Sequence, residues 1–272
     1  THICYCNTPI RYYWSHYEEF KKTFNFGPLN ILIRPLIPLF VRWMRKLDLQ
    51  SVQGVDHFMA NSNEVKKRIK KYYNRESAVV WPAVDTTRFS NPLQPSPTST
   101  QTPIPKPPRK GFIIWGRHVP YKRFDLAIQA CNELKVPLTV IGTGPETKKL
   151  KKIAGPTITF TGRVSDEELV RLAHSAEAFL FPGEEDFGIA PVEALAAGTP
   201  VIAYGSGGAL DYVVDGKTGV LFHTQSVDSL KKSLKKFNLQ AFNTAEIQKY
   251  SKKFNPAKFR NSFLNFVKKH SG

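Results

Sequence analysis

Glu185-Asp186-Phe187-Gly188-Ile189-Ala190-Pro191-Val192-Glu193 runs straight into Ala194-Leu195-Ala196-Ala197-Gly198-Thr199-Pro200-Val201, and how this stretch folds decides how the rest is read. Pro191 has the fixed φ that suits the first turn of a helix and Gly198 suits its end, so the sequence predicts a loop feeding a short helix, near Pro191–Ala197, and then a strand at Val201–Tyr204. Glu185 falls in the loop and Glu193 in the first helical turn. Unpaired amides at such a helix start favour an anionic or oxygen-rich ligand, while two carboxylates can accept hydrogen bonds from neutral hydroxyls. A ligand with both sugar hydroxyls and phosphates satisfies both, whereas Glu193 taken alone also fits a solvated position on a surface helix.

Outward from that stretch, short apolar runs alternate with amphipathic ones. Strands are expected near Gly111–Trp115, Pro137–Ile141, Ile158–Thr161 and Ala178–Phe181, with helices near Phe124–Leu134, Glu146–Ile153 and Asp166–Ser175. Such alternation implies parallel βαβ units, an α/β fold, whose ligands bind beyond the carboxyl ends of the strands. The polar motifs sit at those ends: Gly116-Arg117-His118, Gly142-Thr143-Gly144-Pro145, Gly162-Arg163-Val164, Pro182-Gly183-Glu184-Glu185 and Gly205-Ser206-Gly207-Gly208. Arg117 and Lys122 flank a turn, and a guanidinium with an ammonium can neutralise a departing diphosphate. A solvated loop in a basic protein is the plainer account of that pair. The glycine cluster at Gly205–Gly208 lets backbone amides approach a ligand, although most such clusters are turns.

Upstream, His2–Cys6 reads as a strand, and a helix starts after Asn61-Ser62 with Val65, Ile69 and Tyr72 on one face. Val79-Val80-Trp81 reads as another strand. Between Pro82 and Pro108 lie eight prolines and no glycine, which describes an extended connector and a domain boundary.

The 272 residues carry 39 Lys+Arg against 22 Asp+Glu, a formal net charge of +17, so an anionic partner is expected. No nucleic-acid-binding signature accompanies the charge, which makes nucleic acid the weaker expectation. The basic helix with Lys66, Lys67, Arg68, Lys70 and Lys71, the near-apolar segment Leu29–Leu47 and Lys268-Lys269 instead suit an anionic membrane surface, with solvated helix faces as the alternative. The apolar segment is broken by Arg34, Pro35, Pro38, Arg42 and Arg45, so no span of the bilayer is expected. Cys4, Cys6 and Cys131 form no framework of pairs, which points to a cytosolic setting. The seven histidines show no metal-ligand spacing and no paired aspartates end a strand, so neither metal nor cofactor is expected; the carboxylates of Glu184-Glu185-Asp186 should point apart. The chain opens at Thr1 inside a strand, which leads to the expectation of a missing N-terminal part.

Taken together, Gly116-Arg117 with Pro120-Tyr121-Lys122, Gly162-Arg163-Val164-Ser165, the Glu185-to-Glu193 run, and Gly207-Gly208 followed by Asp215-Gly216-Lys217-Thr218-Gly219 resemble the retaining family 4 glycosyltransferases of the GT-B fold. The likeness covers roughly 112–222 in order and spacing. Asp56–Ser62, Trp81–Asp85 and Asn7–Trp14 extend it upstream and look most like the bacterial branch that uses GDP-mannose.

The resemblance implies two Rossmann-like domains with parallel sheets, the first incomplete: a partial acceptor-side domain at 1–90, a linker at 91–110, a donor domain at 111–252 and a terminal helix, 253–272, packing back toward the first domain. It implies metal-independent transfer of a hexose, with mannose expected, from a nucleoside diphosphate sugar to a glycan or lipid-linked acceptor. Arg117 and Lys122 would bind the diphosphate. Glu185 and the backbone of Phe187, Gly188 and Ile189 would hold the hexose, Glu193 the ribose, and Arg163-Val164 would lie beside the base, with Gly116 and Gly142 lining the site. The family's glycine-rich turn near the start of its first domain is absent here, and Asn7 stands where many relatives have histidine. A UDP-hexose donor, or a non-catalytic remnant that only binds nucleotide sugar, are the alternatives.

Overall fold

The computed structural model describes residues 1–15, 17–18, 21, 27, 30–90 and 108–271, so most of the proline-rich connector expected at 91–110 lies outside the described residues. The chain divides into two compact units, Thr1–Trp81 with Arg260–Gly272, and Pro82–Phe259.

The first unit holds a parallel three-stranded sheet in the order β1 (Ile3–Cys6), β2 (His57–Ala60), β3 (Ser77–Val79). Helix α1 (Ile37–Gln53) connects β1 to β2, and α2 (Asn63–Tyr73) connects β2 to β3. The Ser62 hydroxyl caps α2 by accepting from the Val65 amide at 3.0 Å, and Val65 and Ile69 bury against Cys6, Val52, Val55, Phe58 and Ala60. Expected at Val79–Trp81, the third strand lies two residues earlier. Its pairing with Phe58–Ala60 ends at Val79, and the Val80 amide donates to the Ala60 carbonyl.

The second unit begins with α3 (Thr86–Ser90), so Pro82–Ser90 sits with this unit rather than with the first. Its sheet has six parallel strands, β4 (Phe112–Trp115), β5 (Leu138–Ile141), β6 (Ile158–Gly162), β7 (Ala178–Phe181), β8 (Val201–Tyr204) and β9 (Gly219–Phe222), in the order β6-β5-β4-β7-β8-β9. This is the doubly wound order in which the chain builds one half outward from β4, returns, and builds the other half from β7. The crevice between the carboxyl ends of β4 and β7 is therefore the switch point where such sheets bind ligands. Both strands are buried along their whole length, Phe-Ile-Ile-Trp and Ala-Phe-Leu-Phe, as expected of central parallel strands covered on both faces. β9 is not among the expected strands, because its four residues carry no alternation and follow a turn rich in Asp, Gly and Lys.

Helices α4 (Phe124–Leu134), α5 (Thr147–Ile153), α6 (Asp166–Ser175), α7 (Ile189–Ala196), α8 (Ala209–Tyr212), α9 (Val227–Lys236) and α10 (Thr244–Ser251) complete the unit. α9 presents Leu230 and Leu234 to the core shared by α4, β5 and β9. The last helix, α11 (Pro256–His270), starts in the second unit and belongs to the first from Arg260 on; there Phe263 meets Tyr5 edge-on and His270 packs on His57, ring centroids 4.2 Å apart.

Candidate functional site

The loops after β4, β5 and β6 enclose a cleft of about 560 Å³ whose walls include Trp115, Gly116, Arg117, Gly142, Arg163 and Val164. Glycine at 142 is required by the protein itself: its φ is +112°, and a Cβ there would stand 2.1 Å from the Gly116 carbonyl oxygen. The two strand ends thus approach each other without side chains between them, which leaves the cleft open above. Arg117 and Arg163 are exposed at this cleft, and neither has a hydrogen-bond or ion-pair partner among the described residues. Two guanidiniums on separate loops leave the cleft strongly electropositive and fitted to a phosphate-bearing ligand.

Lys122 closes the 3-10 turn Pro120–Lys122 after β4, and Glu185 lies in the loop after β7. Their charges meet at 2.6 Å, with the side chains only 18% and 15% exposed. A Cβ placed on Gly116 would come within 3.5 Å of Lys122 Nζ, so the pair sits beside the cleft at the switch point. A half-buried pair of this kind is held mainly because either charge left alone would be costly to bury. A ligand offering a phosphate to the ammonium and hydroxyls to the carboxylate can replace each partner with another.

The Gly207-Gly208 turn braces that loop, for Gly208 donates its amide to the Glu185 carbonyl at 2.8 Å and Tyr212 donates its hydroxyl to the Phe187 carbonyl at 2.8 Å. Burial pushes the Tyr212 hydroxyl well above the ordinary tyrosine range, so it remains a donor. Phe187 packs its own ring against Tyr212 and Phe254 and is buried, so only its backbone can serve a ligand. The amide N–H groups of Phe187, Gly188 and Ile189 have no acceptor among the described residues.

α7 starts at Ile189, with Gly188 as its cap. Pro191 therefore occupies the third helical position rather than the first, and Glu193 falls just past the first turn. Its carboxylate accepts from Trp115 Nε1 at 3.1 Å on one oxygen and faces an Arg88 nitrogen at 3.4 Å on the other. Burial raises its pKa, opposed by the Trp115 hydrogen bond and the Arg88 charge. Since Trp115 forms part of the cleft wall, its indole N–H links Glu193 to that wall.

The structure thus brings Gly116, Arg117, Gly142, Arg163 and Val164 to one cleft, sets Lys122 and Glu185 beside it, and joins Glu193 to the indole N–H of Trp115 on its wall. Sequence reasoning did not single out Trp115, Arg88 or Asp166. Arg88 pairs with Asp166 at 2.7 Å, a contact across 78 residues that no local pattern announces. Glu184, Glu185 and Asp186 diverge: Glu184 accepts from the Ser206 hydroxyl, Glu185 from Lys122, and Asp186 is buried. Among the described residues no three His, Cys, Asp or Glu side chains are grouped so as to hold a metal ion.

The family described as "Glycosyl transferases group 1" matches residues 99–254, more than half of the chain. The chain belongs to the group 1 glycosyl transferases. Among curated group 1 and related proteins it is similar to the GDP-mannose-dependent alpha-(1-6)-phosphatidylinositol monomannoside mannosyltransferase of Mycobacterium tuberculosis, 34% identical over 54% of this chain and 43% of that protein. It is also similar to the human alpha-1,3/1,6-mannosyltransferase ALG2, 26% identical over 75% of this chain and 55% of that protein. A D-inositol 3-phosphate glycosyltransferase of Nocardioides is 29% identical over 64% of this chain and 44% of that protein. The chain spans about half the length of these curated relatives. Among solved structures, Anabaena Alr3699/HepE in complex with UDP covers 83% of this chain and 67% of that one, with a TM-score of 0.67 at 17% identity. A glycosyltransferase from Rickettsia africae covers 99% of this chain and 76% of that one, with a TM-score of 0.66 at 16% identity. At such identities the likeness concerns the fold, which is the GT-B glycosyltransferase fold, here with a parallel sheet in each unit.

Proposed function

We propose that this chain carries the donor site of a retaining family 4 glycosyltransferase, one that moves a hexose, mannose in the first instance, from GDP-mannose to a glycan or lipid-linked acceptor. The single observation that carries the reading is the Lys122–Glu185 pair at the β4/β7 switch point, beside a cleft bearing two unpartnered arginines. One ligand class presents to such a surface both a diphosphate and a polyol: a nucleoside diphosphate sugar. Lys122 and Arg117 meet the diphosphate, while Glu185 and the free amides of Phe187, Gly188 and Ile189 take the hexose hydroxyls. Glu193 accepts from the ribose, and Arg163 and Val164 flank the base.

In the reaction the bond between the sugar's anomeric carbon and the donor phosphate oxygen breaks, and the acceptor hydroxyl oxygen bonds to that carbon on the same face. The leaving phosphate takes the acceptor's proton. Charge then accumulates on the diphosphate, and the preorganised cations Lys122 and Arg117 stabilise it more in the transition state than before, which is where catalytic gain arises. Mannose and guanine are chosen over other donors because two of the relatives are mannosyltransferases, one named as GDP-mannose-dependent. The UDP complex of Anabaena Alr3699/HepE supports a UDP-hexose as the second reading. A cytosolic setting, with α1 resting on an anionic lipid surface, completes the proposal.

A thermal-shift panel of GDP, UDP and ADP with their sugar derivatives tests it, because a ligand bound only by the folded state raises the melting temperature. GDP and GDP-mannose should stabilise the chain by roughly 2–3 kcal/mol at a hundredfold excess over Kd, and Lys122→Ala should abolish most of the shift. A response to UDP-hexoses alone would move the donor assignment. No response to any nucleoside diphosphate, or undiminished shifts in both Lys122→Ala and Arg117→Ala, would overturn the reading.

A further inference from the structure

At the cleft wall a second set of contacts converges on Glu193. Arg88, on the short helix α3, reaches two acids at once: Nη1 lies 2.7 Å from Asp166 Oδ2 and Nη2 lies 3.4 Å from Glu193 Oε1. The guanidinium sits over the Phe89 ring at 4.7 Å, and Phe89 lies parallel to Trp115 at 6.4 Å. Trp115 then donates to the other oxygen of Glu193. Each carboxylate oxygen thus has one donor, and a carboxylate with about four acceptor positions keeps capacity for ribose hydroxyls. Asp166 opens α6, three residues after Arg163 on the cleft wall. One side chain therefore ties the helix bearing Glu193 to the first residue of α6, which follows the Arg163-Val164 loop in the chain.

We propose that Arg88 is a positioning residue of the donor site: it fixes Glu193 as the acceptor for the donor's ribose hydroxyls, and Asp166 fixes Arg88. This rests on the reading of the cleft as a nucleoside diphosphate site. The planar fork of arginine is what the geometry uses, since its two terminal nitrogens engage different carboxylates while its face rests on Phe89. A lysine can bond two acids only where both reach its one nitrogen, as Lys231 does with Glu133 and Asp228, whereas Asp166 and Glu193 are met by separate nitrogens of Arg88.

The charged groups around Glu193 are Arg88 and Asp85 at α3 and Asp166 on α6; Trp115 on β4 is neutral. α10 packs on α7 as well, presenting Thr244 and Gln248 at Gly198 while its Glu246 and Lys249 face solvent. The two aspartates raise the Glu193 pKa and Arg88 lowers it, so Arg88 is the cation that opposes protonation there. Without it the carboxylate protonates at higher pH and is lost as an acceptor sooner as pH falls.

The test is calorimetric titration of the chain and its Arg88→Met, Arg88→Lys and Glu193→Gln variants with GDP and with 2′,3′-dideoxy-GDP, or with the uridine pair if UDP is the nucleotide bound. The unmodified chain should prefer the ribose form about tenfold or more, the scale of hydrogen bonds to a charged group. In Arg88→Met the preference should shrink to about threefold or less, with an intermediate value in Arg88→Lys. The affinity of Arg88→Met should also fall away at a higher pH than that of the unmodified chain, and Glu193→Gln should remove this acid limb. Combining Arg88→Met with Glu193→Gln should cost no more than Glu193→Gln alone, as expected for two residues acting through one contact. A merely structural role would weaken both nucleotides equally, so an Arg88→Met variant that stays folded and keeps the full ribose preference overturns the inference while leaving the donor site intact. Absence of nucleotide binding by the unmodified chain overturns the donor-site reading itself, and this inference with it.

Discussion

His118, one residue beyond Arg117, shows how a site residue and a packing residue can be neighbours in sequence and differ in role. Its imidazole is fully buried, with Nδ1 at 2.9 Å from Thr147 Oγ1 and its ring 4.6 Å from Phe124. Burial lowers its pKa. The folded protein therefore binds fewer protons at this position than the unfolded chain once pH falls below the ordinary histidine value, about 6.5. The stability that follows is fully present above that value and is lost as pH falls towards the depressed folded one. A His118→Gln variant should lose less stability between pH 7 and 5 than the unmodified chain, by up to about 1.4 kcal/mol per pH unit. Urea unfolding at both pH values measures the difference, and parallel curves would show that His118 is not the source. At this scale, what the sequence reveals depends on distance along the chain. Arg117, Lys122 and Glu185 were legible because each follows the end of a strand, where side chains reach a switch point. Arg88 was not: its partner Glu193 is 105 residues away, and only the finished fold brings α3 beside α7.

The loop and helix from Pro182 to Ala196 act as one element, and Gly188 sets its course. With φ at +90°, Gly188 occupies a conformation that other residues adopt only under strain, and a Cβ there would come within 2.8 Å of Tyr212 Oη and 2.9 Å of Phe181 Cζ. Gly188→Ala should destabilise the protein by roughly 1–3 kcal/mol, the scale of a strained backbone residue. It should also weaken nucleotide-sugar binding more than nucleotide binding, because the turned backbone presents the free amides proposed for the hexose. Denaturant midpoints together with the two affinities check this; unaltered stability would mean that the turn relaxes without strain. The sequence marks the bounds of α4, α6, β7 and β8 as the structure has them, through the apolar face of α4, the Ser165 cap of α6 and the short uninterrupted apolar runs of β7 and β8. The expected start of α7 falls two residues late because proline suits several positions of a first turn, and the observed one follows from packing around Gly188.

At the scale of the whole molecule, the charge of +17 includes cations that border an apolar face which nothing among the described residues covers. No helix of the described residues is long and apolar enough to cross a membrane. α1 buries Ile37, Val41 and Val52 in the first unit, while Leu36, Leu39, Phe40, Trp43 and Leu47 are 58%, 66%, 53%, 55% and 39% exposed. Their spacing of three and four residues makes a single stripe on the solvent side. From Asn30 to Leu47 the sequence has no acidic residue and carries Arg34, Arg42, Arg45 and Lys46, and of these Arg34, Arg42 and Lys46 are exposed. An apolar stripe rimmed by cations fits the boundary of an anionic bilayer, where side chains enter the acyl region and each nearby cation contributes about 1 kcal/mol. The chain should sediment with phosphatidylglycerol vesicles and release them as ionic strength rises, because the cationic part is screened. It should bind phosphatidylcholine vesicles weakly. Phe40→Asp with Trp43→Asp should abolish the association while leaving the melting temperature and nucleotide binding unchanged, since both rings lie outside the core and in the first unit. Retention by the double variant would remove the lipid surface as the occupant of this face, while equal binding to neutral and anionic vesicles would remove the cations from the interaction and leave the charge to serve the donor's phosphates alone.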